Sequence, residues 1–294
     1  MFTSYLLKVG LIILNLIALA PPKIGIKIGK FLGRVLYLIS KKRKYVTKTN
    51  LRTCFPKINE EALNELVKQC FQETGIGIVE TGWAWYRKVN FFERRIKISG
   101  LEILNSSNNR GILLTCAHHS MVDVVSPILF SLFGPFVISY RPNGNLLLDK
   151  EIKKGRAKYA DLVNVRSLRI LIKKLKTGNL VWFGPDQDMG PKGSVFVPFF
   201  NHPTCTVTTP SRLVEITGAK PVHLQIKRVE DTYEVNFENY PSDYPTGNVA
   251  KDAIILNQKI ENTIRKIPSQ YLWMHKRFKT EPNGNRDRLY QNLS

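Results

Sequence analysis

His118 and Asp123 stand five positions apart in the run Gly111-Ile-Leu-Leu-Thr-Cys-Ala-His-His-Ser-Met-Val-Asp123. An apolar segment ends at Ala117, an imidazole follows at once, and a carboxylate comes shortly after. A base at the end of a buried strand, with an acid close enough to orient it, suffices to take a proton from a hydroxyl. On one continuous helix, residues five apart stand roughly 140° apart and share no face. The pair therefore requires His118 in the turn after the strand and Asp123 in the first turn of the next helix. Gly111–Ala117 reads as a buried strand, and Met121–Phe133 as an apolar helix with Pro127 near its start. The helix N-terminus adds positive potential there, and backbone amides of that turn are the expected oxyanion donors. Spacing alone leaves a second reading open, in which Asp123 is an ordinary helix-start acid and His118 a satisfied core histidine.

The elements around the pair alternate. Strands are expected at Phe136–Tyr140, Val163–Val165, Leu180–Phe183, Ser194–Phe199, Val222–Val229 and Tyr233–Phe237. Helices are expected at Asp149–Tyr159, Ser167–Leu175, Val207–Thr217 and Ala250–Lys266, with an earlier one over Asn59–Thr81. This pattern means α/β, a mixed central sheet flanked by helices. Trp83 and Trp85 read as core, and the residues from Pro282 onward as a polar tail.

Ligands of α/β sheets gather where strands end. Arg141 emerges from the strand Phe136–Tyr140 into a turn, suited to gripping a phosphate or carboxylate. Arg156 lies on a helix of mixed charge, where a solvated face is an equal reading. Asp186 and Gln187 lie in Gly184-Pro-Asp-Gln-Asp-Met-Gly190, a turn after an apolar strand. Turn chemistry alone explains Asp and Gly there, yet such a loop also suits substrate contact. His118, His119, Asp123 and Asp186 form no regular metal-ligand spacing. The four cysteines are scattered, as reduced thiols are, and Cys116 reads as a buried structural thiol.

Forty-four Lys and Arg stand against 23 Asp and Glu, a formal charge of +21. The partner is thus expected to be anionic, and no recognisable nucleic-acid module is present. Residues 1–50 hold ten of the basic residues and no acid. They also hold the apolar run Val9–Ala20, about 18 Å as helix against a bilayer core of about 30 Å. A marginal span or half-inserted anchor fits better than a cleaved signal or a transit peptide. Beyond Pro22, Lys23, Lys27, Lys30 and Arg34 repeat at helical spacing opposite Ile24, Ile28, Phe31, Leu32 and Val35. That is a basic amphipathic helix suited to a headgroup layer. Gly25, Gly29 and Gly33 form a stripe for close packing on lipid or on another helix. Two regions are expected: residues 1–50, a membrane anchor with a basic amphipathic helix, and residues 51–294, the catalytic body.

Four ordered blocks carry a resemblance: His-x4-Asp over 118–123, Tyr140-Arg-Pro, Pro185-Asp-Gln-Asp and Val195-Phe-Val-Pro-Phe-Phe200. Flanking pieces agree, among them Arg43-x2-Val46-x3-Asn50-Leu51-x2-Cys54-Phe-Pro56, Glu80-Thr-Gly-Trp-Ala-Trp85 and Tyr271-Leu-Trp-Met-His-Lys-Arg-Phe278. Together they resemble the late acyltransferases of lipid A biosynthesis, the lauroyl and myristoyl transferases, from the anchor to about Pro282. The His-x4-acid element is shared with glycerolipid acyltransferases, so a glycerolipid acyltransferase-like sheet is implied. Members often carry Glu where this chain has Asp123.

The resemblance implies a bacterial inner-membrane protein with a single N-terminal anchor and its catalytic domain on the cytoplasmic face. It implies acyl transfer from acyl carrier protein to a hydroxyl of a hydroxyacyl chain on a lipid A precursor, with no cofactor. In that reaction His118 acts as general base oriented by Asp123, Arg141 and Arg156 bind substrate phosphates, and Asp186 and Gln187 shape the acceptor site. Two alternatives stay open: another membrane lysophospholipid or glycolipid acyltransferase using acyl-coenzyme A or an acyl-carrier donor, and a non-enzymatic basic membrane-binding protein.

Overall fold

A computed structural model describes residues 2–105 and 110–291. The first residue of the expected front region, and residues 106–109 and the last three of the expected body, lie outside them. Four helices open the chain: α1 (Phe2–Ile17), α2 (Pro22–Ile39), α3 (Lys41–Cys54) and α4 (Glu60–Tyr86). There follow α5 (Asn90–Glu93), β1 (Ile96–Ser99), α6 (Glu102–Asn105), β2 (Ile112–Cys116), α7 (Val125–Phe133) and β3 (Phe136–Tyr140). Next come α8 (Leu146–Arg156), β4 (Ala160–Asn164), α9 (Leu168–Lys176), β5 (Leu180–Phe183), β6 (Ser194–Phe199) and β7 (His202–Val207). The last are α10 (Thr209–Thr217), β8 (Lys220–Val229), β9 (Thr232–Asn239) and α11 (Val249–Lys266).

Among the described residues the main sheet runs β1-β9-β8-β2-β5-β3-β4. Every neighbouring pair is parallel except β8 with β9, so the sheet is mixed, as the alternation implied. Successive side chains of its central strands enter opposite cores, which is the period of two expected of strands buried on both faces. Leu113, Val137, Val181 and Phe183 join one core, while Leu114, Cys116, Phe136, Ile138, Leu180 and Trp182 join the other.

The observed boundaries depart from the sequence reading where polar contacts set them. Asn145 caps α8 by accepting from the Leu148 amide at 3.1 Å, so the helix begins at Leu146 rather than Asp149. β7 pairs with β6 through a two-residue turn, Phe200-Asn201, with both φ positive; that geometry suits a tight hairpin. β1 has a mostly exposed pattern that no apolar alternation announces. The expected polar tail is corrected. Tyr290 is buried, accepts from the Phe278 amide and donates to Asn50 Oδ1 at 2.5 Å, so hydrogen bonds hold a segment that apolar content does not mark.

The glycine stripe of α2 faces α4. A Cβ on Gly29 would lie 2.5 Å from Ile76 Cα, and one on Gly75 would lie 2.1 Å from the Gly29 carbonyl oxygen. The two backbones touch, a separation that only glycine permits. Trp83 and Trp85 are core residues, as expected. Arg87 donates to the carbonyls of Ala18 and Ala20, tying the α1–α2 turn to the end of α4. Lys23, Ile24, Lys27, Lys30, Phe31, Arg34, Val35 and Leu38 are exposed on α2, and Ile12, Ile13 and Leu16 on α1. No helix among the described residues is long and apolar enough to cross a membrane. The expected membrane span is therefore unsupported: α1 ends at Ile17 after 16 residues, a rise of about 24 Å.

Candidate active site

β2 and β5 lie side by side and parallel, with Thr115 opposite Phe183. Both strands therefore run out at the same edge of the sheet, where His118 follows one and Asp186 the other. The Asp186 carboxylate meets His118 twice: Oδ1 is 2.5 Å from ring Nδ1, and Oδ2 accepts the His118 amide at 2.9 Å. Asp186 is 0% exposed. Burial opposes its ionisation, but the His118 ring and the two hydrogen bonds hold the carboxyl well below the usual carboxylate range. An ionised carboxylate only accepts, so Nδ1 carries a proton, and in the neutral ring the lone pair is on Nε2. Nε2 makes no hydrogen bond among the described residues, and the side chain is partly exposed. It is an arrangement that general-base chemistry can use.

The ring is seated by two neighbours. Gly184 lies so close that a Cβ on it would be 2.3 Å from His118 Cε1. The Trp182 ring stands edge-on to the imidazole, centroids 5.8 Å apart. Below, the turn is pinned to a later segment, with Ser120 N donating to Gln270 O and Leu272 N to His118 O. The amides of His118, Ser120, Val122 and Val124 are all engaged within the protein. The expected oxyanion donors are thus not these four.

Asp123 has other partners than the expected one. Val122–Val124 form a 3-10 turn before α7, and there Asp123 accepts from Arg156 Nε at 2.7 Å and from Thr81 Oγ at 3.2 Å. The carboxylate bonded to His118 is that of Asp186, because adjacent strand ends bring the two residues together although 68 positions separate them. Arg156 comes from the last turn of α8 and is an ion-pair member rather than a solvated charge. It lines a small crevice with Val122, Val125, Ser126, Phe136, Ile138 and Trp182. The crevice is largely apolar, and Trp182 is a wall it shares with His118.

Arg141 follows β3 and is exposed, with Nη1 3.5 Å from Met189 Sδ in the 184–190 loop. Its loop is fixed by Asp149, which accepts from the Tyr140 hydroxyl and, at 2.6 Å, from the Asn143 amide. Gln187 is half-buried in the 184–190 loop. Its neighbour Asp188, which carried no expectation, accepts from Thr280 N at 2.8 Å and ties that loop to the C-terminal segment.

The remaining candidates are structural. Cys116 is buried, and burial pushes its thiol up, away from a reactive thiolate. His119 is buried, and burial lowers it to about 4. His223 bridges Thr115 and Thr263 in the core, lowered to about 3 by burial.

The family model described as "Bacterial lipid A biosynthesis acyltransferase" matches residues 1–280. The lipid A biosynthesis lauroyltransferase of Escherichia coli (strain K12) is 31% identical over 286 residues, 95% of this chain and 93% of its own length. The palmitoleoyltransferase of the same organism is 30% identical over 263 residues, 87% of this chain and 85% of its own. Among solved structures, the 1-acyl-sn-glycerophosphate acyltransferase PlsC from Thermotoga maritima aligns with 90% of this chain and 98% of its own at 13% identity, TM-score 0.41.

Proposed function

The chain belongs to the bacterial lipid A biosynthesis acyltransferase family and is an acyltransferase, and from that premise we propose that it moves a fatty acyl group from acyl carrier protein to a hydroxyl of a hydroxyacyl chain on a lipid A precursor. The observation that carries this reading is the His118 ring, tied through Nδ1 to Asp186 with Nε2 open. Nε2 takes the proton of the acceptor hydroxyl as its oxygen attacks the thioester carbonyl. The tetrahedral oxyanion then collapses, the C–S bond breaks, and the thiolate leaves with the proton from His118. Asp186 stays ionised and stabilises the imidazolium, as the acid of an acid–His pair does.

Asp123 acts here through Arg156, holding the guanidinium by Nε at the crevice. The Nη groups of Arg156, which make no hydrogen bond among the described residues, supply positive charge for an oxyanion or a substrate phosphate. Arg141 and Gln187, on loops that meet at Met189, are assigned to phosphate and acceptor contacts. Exposed apolar residues of α1 and α2, interleaved with Lys23, Lys27, Lys30 and Arg34, suit the headgroup layer of an anionic leaflet. Residues 1–50 are thus the membrane-facing front and 51–294 the acyltransferase body, placed on the cytoplasmic face of the inner membrane, where an acidic carrier protein has access.

The test is mass spectrometry of a lipid A precursor incubated with purified protein and acyl carrier protein thioester, with acyl-coenzyme A run in parallel. Wild type should add one acyl mass from the carrier thioester. His118→Ala should lower the rate by on the order of 10² or more while vesicle binding is unchanged. Normal transfer by that variant would remove His118 from the chemistry, and transfer from acyl-coenzyme A alone would overturn the donor assignment.

A further inference from the structure

Strand β2 stops at Cys116, opposite Leu224, while its neighbour β8 runs on to Val229. The edge of β8 that β2 covered is therefore left without a strand beyond Leu224, and buried backbone groups there need other partners. Gln270 supplies them at Arg228. Its side-chain amide accepts from the Arg228 N–H and donates to the Arg228 carbonyl, both at 2.9 Å. Gln270 is 5% exposed and ends the 3-10 turn Pro268–Gln270, whose Pro268 carbonyl accepts from the Trp273 indole at 2.7 Å.

The chain leaving β2 is the turn that carries His118, and the same residue grips it. The Gln270 carbonyl accepts from Ser120 N at 2.8 Å, Leu272 N donates to His118 O at 2.9 Å, and His119 and Tyr271 form an antiparallel bridge between these bonds. Helix α4 meets the other backbone group of Ser120. A Cβ on the buried Gly77 would lie 2.2 Å from the Ser120 carbonyl oxygen and 2.8 Å from its carbonyl carbon. On either side of Gly77 along α4, Glu73 and Glu80 both pair with the Arg228 guanidinium, Glu80 Oε1 at 3.1 Å from Nε. Arg228 thus holds α4 by its side chain and Gln270 by its backbone, and Ser120 is engaged by both.

We propose that Gln270 is a positioning residue, which together with Gly77 of α4 clamps the turn carrying His118 to the free edge of β8 and so fixes where Nε2 stands. The proposal rests on the reading of His118 as general base. Gln270 touches no reacting atom in it and acts through Ser120 and His118. The residue types follow from the geometry. A side-chain amide holds an acceptor and a donor on one planar group, which matches the N–H and C=O of one strand residue. Gly77 has to lack a Cβ because what it would strike is backbone.

Gln270→Met keeps the length of the side chain and loses both bonds to Arg228. The turn should shift by less than the length of a bond, and kcat for transfer from the carrier thioester should fall about tenfold with KM unchanged. Hydrogen–deuterium exchange should quicken in peptides covering 118–123 and 268–273 and keep the wild-type rate over β5 and α9. Gly77→Ala, which by itself favours the helix, should push on Ser120 and give the same kcat loss and the same faster exchange at 118–123. Asn257→Leu is the control. It removes a buried side-chain bond to the Pro198 carbonyl, 2.8 Å long, from α11, and should lower the melting temperature while kcat stays at the wild-type value. All assays use full-length protein below the melting point of every variant. Wild-type kcat in a folded Gln270→Met protein overturns the proposal. So does wild-type kcat in Gly77→Ala, a result that counts even where Gln270→Met does not fold. An equal loss of kcat in Asn257→Leu also overturns it, since stability alone would then explain the effect. Failure here with an inactive His118→Ala variant removes only the clamp, whereas an active His118→Ala variant removes the underlying reading.

Discussion

Gly184→Ala isolates the seat of the His118 ring, the proposed base, from everything else in the site. Alanine's Cβ would stand 2.3 Å from His118 Cε1, 2.9 Å from Nε2 and 3.0 Å from Nδ1, against the 3.4 Å at which ordinary contact begins. Relief requires about 1 Å of movement between the ring and the 184–186 backbone. The backbone itself accepts alanine, because Gly184 is not among the positive-φ glycines. Either way the move is made, the 2.5 Å contact between Nδ1 and Asp186 is lost, since Asp186 lies two residues beyond Gly184. A misplacement of about 1 Å at a reacting group costs on the order of 10² in rate, about 2.7 kcal/mol of barrier. The assay is kcat for acyl transfer from the carrier thioester, with Gly144→Ala as control, where a Cβ meets nothing within 4 Å. The expected result is a loss near a hundredfold for Gly184→Ala, with little change for Gly144→Ala and in either melting temperature. Full activity in Gly184→Ala would refute the argument that this ring position is the working one.

Two further expectations concern buried charge. His119, His223 and His275 are lowered to about 4, about 3 and about 4 by burial. Each contributes stability that is present above the unfolded value of 6.5 and lost as pH falls toward 4. Glu80, pushed up to about 7 by burial, acts with the opposite sign between 4.5 and 7. Three groups against one give a net loss on acidification from 6.5 to 4.5, on the order of 3 kcal/mol per pH unit at most. Urea unfolding at pH 6.5 and 5 checks this, and flat or rising stability at the lower pH would contradict it. Arg156→Leu strips the buried Asp123 of its guanidinium partner and should destabilise the fold by about 3–5 kcal/mol. Chemical denaturation measures it, and a double-mutant cycle with Asp123→Asn should recover much of the loss.

The sequence announced those parts of the site that local pattern controls. Apolar runs ending in His118, Arg141 and Asp186 gave three strand ends and so one edge of a sheet. It did not announce which acid meets His118. Spacing along the chain favoured Asp123, whereas the pairing depends on strand order, which places β5 against β2 and carries Asp186 across 68 residues. The C-terminal segment stayed hidden for a related reason. Hydrogen bonds from Asn50, Thr280 and Tyr290 hold it, and hydrophobic periodicity carries no trace of such contacts. Short, mostly exposed β1 fell below any pattern signal, while the glycine stripe of α2 was visible and only its partner, α4, was not.

The central claim is that Asp186, not the nearer-in-sequence Asp123, holds the base in its working state. Asparagine at 186 keeps the size but loses the charge, and its amide cannot accept from both His118 N–H groups at once. Single-turnover transfer by Asp186→Asn with saturating carrier thioester is the direct measurement. A fall on the order of 10³–10⁴ near neutral pH, the scale of losing an orienting acid from an acid–His pair, is the expected result. A rate within threefold of wild type would contradict the account.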